Sequence, residues 1–361
     1  MFIANMAGAW KLTGSEELQL PHPAHPEEGH GGLVYTIKLR GSYLVSGSAD
    51  KTVRVWNADS QRLIRGPLWG HEGSVICLDF DESPDQDVII SGSTDRSILI
   101  WQFSTGNAIK RLESAHESTV LSLAFDHRLL VTGSKDTTIK VWNRHSIALP
   151  GSELPSYTYA SVMETEVPIT PYHLLATLKE GHEAVKSVLL DRDITISGSG
   201  DRSIAVWNLQ TGQLVRKILK HTGGITDLLY DGCCIVSASS DNTCRIYNMQ
   251  TDTEVACLRG HANIVRSVHL VPGKRSAISG VVTGSFDGTI RHWEPQENGE
   301  WECRATLESH GFQTDRTVNS STGKNSTEDE TSRIFEIGLD TKRVAAAGFG
   351  PVIKMWRMST P

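Results

Sequence analysis

The sequence predicts an all-β, seven-bladed β-propeller. Three observations carry that reading. A segment ending in tryptophan or tyrosine recurs seven times, a histidine precedes each copy, and no stretch of ten or more residues holds a 3.6-residue apolar period. The copies read LVSGSADKTVRVW to Trp56, IISGSTDRSILIW to Trp101, LVTGSKDTTIKVW to Trp142 and TISGSGDRSIAVW to Trp207. They continue as IVSASSDNTCRIY to Tyr247, VVTGSFDGTIRHW to Trp293 and VAAAGFGPVIKMW to Trp356. The histidines ahead of them are His30, His71, His116, His182, His221, His261 and His310. Each unit holds apolar or alternating runs of four to six residues broken by Gly-Ser and Asp turns, which is a strand–turn–strand pattern. A further strand fits between each tryptophan and the next histidine. Four short strands per roughly 40 residues describe a propeller blade, and ring closure removes long exposed sheet edges.

The elements follow in order. Residues 1–29 are an N-terminal segment expected to supply a closing strand, because only five residues follow Trp356 and the last unit lacks its outer strand. Pro21, Pro23 and Pro26 spoil the stretch just before His30, leaving Glu17–Leu20 or Ala9–Leu12 as the candidate strand. Residues 30–361 form the propeller, with insertions at about 145–172 and 311–332. Trp142 to His182 spans 40 residues where other blades use 14 to 17, and the excess carries Pro150, Pro155, Pro168 and Pro171. His310 to Trp356 spans 46 residues where others use 25 to 32. That second excess is polar and nearly free of aliphatic residues, which predicts a disordered loop.

Serine, histidine and aspartate recur at fixed spacing, as in His71, Ser91 and Asp95, which invites comparison with a nucleophilic triad. Sevenfold repetition argues for structure instead, since an enzyme needs one triad and each blade needs its own lock. Three expected tetrads are His71 with Ser91, Asp95 and Trp101; His116 with Thr132, Asp136 and Trp142; and His182 with Ser197, Asp201 and Trp207. Two more are His30 with Ser46, Asp50 and Trp56, and His261 with Thr283, Asp287 and Trp293. Such a network stabilises only when every member is paired. Blade five puts Tyr247 in the tryptophan position. Blade seven has Ala346 and Gly350 where serine and aspartate belong, so it is expected to be the loosest. No P-loop, dinucleotide glycine motif or nucleophile elbow is present, and the glycines read as turn residues. No enzyme, no cofactor and no metal site are expected.

With 35 basic and 42 acidic side chains the formal charge is −7, unlike the basic stripe of a dedicated nucleic-acid binder. No run approaches ~18 apolar residues, so no transmembrane helix and no membrane partner are expected. The start lacks a basic n-region followed by an apolar h-region. The six cysteines contain no C-x-x-C pair, which points to reduced thiols in a cytoplasmic and/or nuclear protein.

The Gly-His, Ser/Thr-Gly-Ser-x-Asp and terminal Trp elements together resemble a WD-repeat propeller over nearly the whole chain. Phrases such as GHEGSVICLDFDES, LVTGSKDTTIKVWNR and ISGSGDRSIAVWN are similar to the F-box/WD-repeat substrate receptors of Skp1–cullin–F-box ubiquitin ligases, and PHPAHPEEGH resembles the fungal branch. That resemblance implies protein or phosphopeptide substrates on the upper face, made by the loops flanking each repeated aspartate. Carried over position by position, the phosphate-binding candidates are Lys51, Arg96, Lys135 and Arg202 beside the turn aspartates. Lys186 and Arg266 enter the first strands, and Tyr35, Phe286 and Phe349 make the apolar part. No F-box fits into residues 1–29, so Skp1 and cullin are expected partners only where an F-box is encoded upstream. The alternative is a scaffold propeller without ubiquitin chemistry.

Overall fold

Short alternating strands too narrow to bury both faces alone must stack, and the chain stacks them in a ring. The structure, a computed structural model, describes residues 11–146, 169–179, 181–271, 278–309 and 332–359. Both insertions predicted at about 145–172 and 311–332 lie largely outside these residues, as does His310. Seven four-stranded antiparallel sheets form a seven-bladed β-propeller. Blade one runs Val34–Arg40, Tyr43–Ser48, Val53–Asn57 and Arg62–Leu63 from the central channel outward. Blade two repeats the order with Val75–Asp81, Val88–Ser93, Ile98–Gln102 and Ala108–Leu112. Blades three to six open with Val120–Phe125, Val185–Asp191, Ile225–Tyr230 and Val265–Leu270. Blade seven, Ile334–Leu339, Arg343–Gly348 and Ile353–Ser359, takes its outer strand from Lys11–Leu20 at the other end of the chain.

The core lies between blades. Val45, Val53 and Val55 of blade one pack on Val75, Leu78, Phe80 and Trp101 of blade two, all at most 1% exposed. This packing corrects the reading of the Gly-Ser glycines as turn residues. Gly47 and Gly198 lie inside second strands, and a Cβ on either would come within 2.5 Å of Val75 or Ile225 of the next blade. They are glycine because a neighbouring blade presses on the backbone there. In blade seven, Ala345, Ala346 and Ala347 are fully buried, so small apolar side chains fill the place a polar lock takes elsewhere.

A belt of side-chain bonds ties the first strands to one another around the channel. Val188 N–H donates to Ser122 Oγ at 2.9 Å, Val268 N–H to Asp227 Oδ2 at 3.0 Å, and Ile337 N–H to Ser267 Oγ at 3.3 Å. At the join of blades seven and one, Glu336 accepts from Ile37 N–H at 3.1 Å and from Lys38 Nζ at 2.7 Å. Burial alone would lower the Lys38 pKa, but the carboxylates of Glu336, Asp79 and Asp227 outweigh it and hold the ammonium above its ordinary value.

Candidate functional site

Histidine and aspartate of blades one to six lie at one end of the sheets, so the locks and the upper face are built together. His71 Nδ1 donates to Asp95 Oδ2 at 3.1 Å, its Nε2 meets Ser91 Oγ at 2.9 Å, and Trp101 Nε1 donates to Ser91 Oγ at 2.9 Å. A carboxylate can only accept, so Nδ1 carries the proton and the serine hydroxyl donates to Nε2. Blade three closes the same chain with threonine in the serine position. There Thr132 Oγ1 is fully buried, meets His116 Nε2 at 2.8 Å and accepts from Trp142 Nε1 at 3.1 Å, while His116 Nδ1 donates to Asp136 at 2.9 Å. Ser46 joins His30 to Trp56 in blade one, and Thr283 joins His261 to Trp293 in blade six. His30 and His261 each reach their aspartate, Asp50 or Asp287, at 2.9 Å. In blade five, His221 reaches Asp241 and Ser237 at 2.8 Å, while the Tyr247 hydroxyl turns away to Asp252.

Blade four departs from the expected tetrad. His182 is exposed, and only the Trp207–Ser197 bond of 3.2 Å remains. The cause is one residue. Three positions separate His182 from Val185, where the other described blades have four, as between His71 and Val75. The shortened loop cannot fold the imidazole back, and a small cavity lined by Ser197, Asp201 and Trp207 is left.

The lock has a fifth member that the sequence reading did not include. Two residues after each aspartate, Thr52, Ser97, Thr138, Ser203, Thr243 and Thr289 donate their hydroxyls to it at 2.5–2.7 Å. The signal was present, since Asp-x-Ser or Asp-x-Thr repeats in six blades.

On the upper face, Lys51, Arg96 and Arg202 directly follow their turn aspartates, are exposed, and have φ of 71°, 70° and 77°. Blades five and six put Asn242 and Gly288 there, residues that tolerate the left-handed region. Lys135 is exposed but stands ahead of Asp136, and Thr137 takes the left-handed position of blade three. Glycine at 51, 96 or 202 relieves the steric cost but loosens the unfolded chain, so each variant should stay within about 1 kcal/mol of wild type by urea denaturation.

The second ring is set by bulges. In all seven first strands the register slips at the second residue, namely Tyr35, Ile76, Leu121, Lys186, Thr226, Arg266 and Phe335. A bulge re-aims its side chain, and all but Tyr35 of these line the central channel. The ring is split by character. Phe335, absent from the sequence reading, is the hub that joins Tyr35, Phe286 and Phe349, with ring centroids at 5.6, 5.7 and 6.4 Å. Arg333 lies over the Phe286 ring at 5.8 Å. Across the channel, burial and the Arg266 guanidinium pull the Lys186 ammonium below its ordinary pKa, with Glu183 opposing. Arg266 donates to the Thr226 carbonyl at 3.2 Å, and among the described residues neither cation pairs with a carboxylate. The structure thus brings Lys186 and Arg266 to one channel mouth and gathers the three aromatics. Lys51, Arg96, Lys135 and Arg202 stay on separate turns.

The family model described as "WD domain, G-beta repeat" matches residues 23–57, 63–102, 106–143, 172–208, 212–248 and 252–294. The WD repeat-containing protein pop2 of Schizosaccharomyces pombe is 29% identical over 220 residues, covering 61% of this chain and 25% of that protein. The ribosome biogenesis protein YTM1 of Chaetomium thermophilum is 26% identical, covering 79% and 52%. The nuclear distribution protein nudF of Aspergillus niger is 27% identical, covering 79% and 55%. The chain therefore spans from a quarter to about half the length of these relatives. Each of the six matched segments ends at the third strand of one of blades one to six, where the histidine, aspartate and terminal aromatic recur, and the third to sixth begin with the outer strand of the blade before. Together they cover most of the sequence, and the chain belongs to the WD domain, G-beta repeat family.

Proposed function

We propose that this propeller is a non-catalytic interaction scaffold of the cytoplasm and/or nucleus whose upper face binds an acidic segment of a partner protein. The observation that carries the reading is the split ring: two crowded cations without carboxylate partners among the described residues share one channel mouth with an aromatic shelf. An incoming anion would relieve the Lys186–Arg266 repulsion, and an adjacent apolar side chain would cover Phe335. Relatives named for ribosome biogenesis and nuclear distribution are consistent with an assembly role. Phosphorylation of the segment would add about −1.5 to −2 charges and strong acceptors suited to Arg266 and Arg202.

Calorimetry with an acidic–apolar peptide in phosphorylated and unphosphorylated forms tests this. Arg266→Ala should weaken binding by about 1.5–3 kcal/mol without changing the fold, and added salt should weaken it further. Affinity indifferent to Arg266, Lys186 and Phe335 together would remove the upper face from the function. The Skp1–cullin assignment is a separate proposal that rests on motif resemblance. Failure of Skp1 to co-purify with the full-length protein would discard it.

A further inference from the structure

The lower face recognises arginine repeatedly, and one of its seams lacks the arginine. At the join of blades seven and one, Arg343 bonds Asp59 at 2.8 Å and the Gly41 carbonyl at 2.6 Å. From blade one to two, Arg40 bonds Asp79 at 2.9 Å and the Phe80 carbonyl, with its guanidinium 5.3 Å from the Phe80 ring centroid. Arg144 of blade three bonds Gln86 of blade two at 2.8 Å and lies 4.6 Å from the Phe125 ring centroid. Arg128 crosses from blade three to four, to Asp193 at 3.5 Å and the Arg192 carbonyl at 2.9 Å. The recipe is a carboxylate or amide oxygen, a backbone carbonyl and, in two cases, an aromatic face. It suits guanidinium, which is planar, many-donored and weakly hydrated.

Between the inner hairpins of blades four and five, carboxylates and an aromatic ring are present without an arginine that bridges the two blades. A groove of about 530 Å³ is floored by Leu189, Leu190, Leu229 and Tyr230 and rimmed by Asp191 and Asp231. Asp231 Oδ1 accepts the Cys233 and Cys234 amides at 2.8 and 2.6 Å, and Asp191 is exposed. Arg192 also lines the groove, so the two carboxylates outnumber one cation there. Arg216 joins the same blades only farther out, to Met249 and Asp252 at 2.9 and 3.0 Å. Of the five inner seams whose hairpins are both described, this is the one that no arginine spans.

We propose that this lower-face seam docks an arginine side chain of a partner protein, flanked by an apolar residue that covers the leucine floor. The charge complementarity is opposite to that of the upper face, so one scaffold would hold two chemically distinct partners at once.

The probe is a fluorescein-labelled Gly-Leu-Arg-Leu-Gly amide read by anisotropy on the full-length protein, with its citrulline analogue as the uncharged isostere. Saturable binding is expected, weakened about tenfold or more by citrulline, the scale of one charged hydrogen bond. Asp191→Asn, an exposed position, should weaken it similarly, and Asp231→Asn should do so while retaining Oδ1 for its two amides. Arg202→Ala on the opposite face should leave the affinity within twofold. No saturable binding, equal affinity for the citrulline peptide, or unchanged affinity in a folded Asp191→Asn protein would overturn the proposal.

Discussion

Asp95→Ala should lower the unfolding free energy by about 3 kcal/mol, whereas Asp201→Ala should cost less than half of that. The Asp95 carboxylate accepts from His71, from the Glu72 amide at 2.7 Å, and from the Ser97 amide and hydroxyl at 2.9 and 2.6 Å. Removing it strands a buried imidazole and two amides. Asp201 accepts from the Ser203 amide and hydroxyl but from no histidine, so less is left unpaired. Urea denaturation of both variants measures the difference, and equal losses would refute the open lock of blade four. Acid should act in the same direction. Burial alone would raise the Asp95 pKa, but the bonds from His71 and Ser97 hold it well below the carboxylate range, as happens at Asp50, Asp136, Asp241 and Asp287. Folded-state pKa values below the unfolded ones give stability that is present above about pH 4 and lost as pH falls further. Burial also lowers the His30 pKa despite Asp50, so its neutral form adds stability that starts to fade below about pH 6.5. Asp95→Ala should therefore flatten the loss below pH 4, and a stability curve as steep as wild type would contradict this account.

What was legible in the sequence was whatever repeats. Strand–turn–strand periodicity gave the blades, and the recurrence of Ser91 with His71 and Asp95 separated a lock from a triad. The same recurrence let Thr132 stand for serine in blade three, because the lock needs only a hydroxyl at that place. What repetition hides is displacement by a single residue. His182 has its tryptophan and aspartate in place, yet the loop to Val185 is one residue short, and reach depends on loop length that a motif match ignores. Phe335 was missed for a related reason. It occupies the bulge position of Tyr35, Lys186 and Arg266, but with His310 far upstream its blade carries no motif to set the alignment. The seam cations were illegible because Arg40, Arg128, Arg144 and Arg343 find their partners on neighbouring blades, a relation that exists only once the ring is closed.

Removing residues 1–20 should do more damage than any single lock variant. Glu17, Leu18, Gln19 and Leu20 pair with Trp356, Met355, Lys354 and Ile353, so the first strand of the chain completes its last blade. Without it the Ile353–Ser359 strand becomes an unpaired edge, the template on which chains aggregate. The loss is also one of core. Leu20 is fully buried in the cluster that joins blades seven and one, with Val34, Ile37, Trp56, Ala345 and Met355. Burial of one such leucine contributes about 2 kcal/mol, and Leu20→Asp would add an unpaired buried charge, for a total near 4 kcal/mol or more. Glu16→Ala serves as the control, because its 3.1 Å pair with Arg357 is exposed on both sides and should be worth under about 1 kcal/mol. Size-exclusion chromatography and thermal unfolding should place the deletion and Leu20→Asp together, as aggregating or early-melting species, with Glu16→Ala beside wild type. Monomeric deletion and Leu20→Asp proteins with wild-type Tm would mean that the direct contacts of blades seven and one, Glu336 with Lys38 and Arg343 with Asp59 among them, suffice to hold the ring, and that the N-terminal strand is an ornament on a propeller already closed.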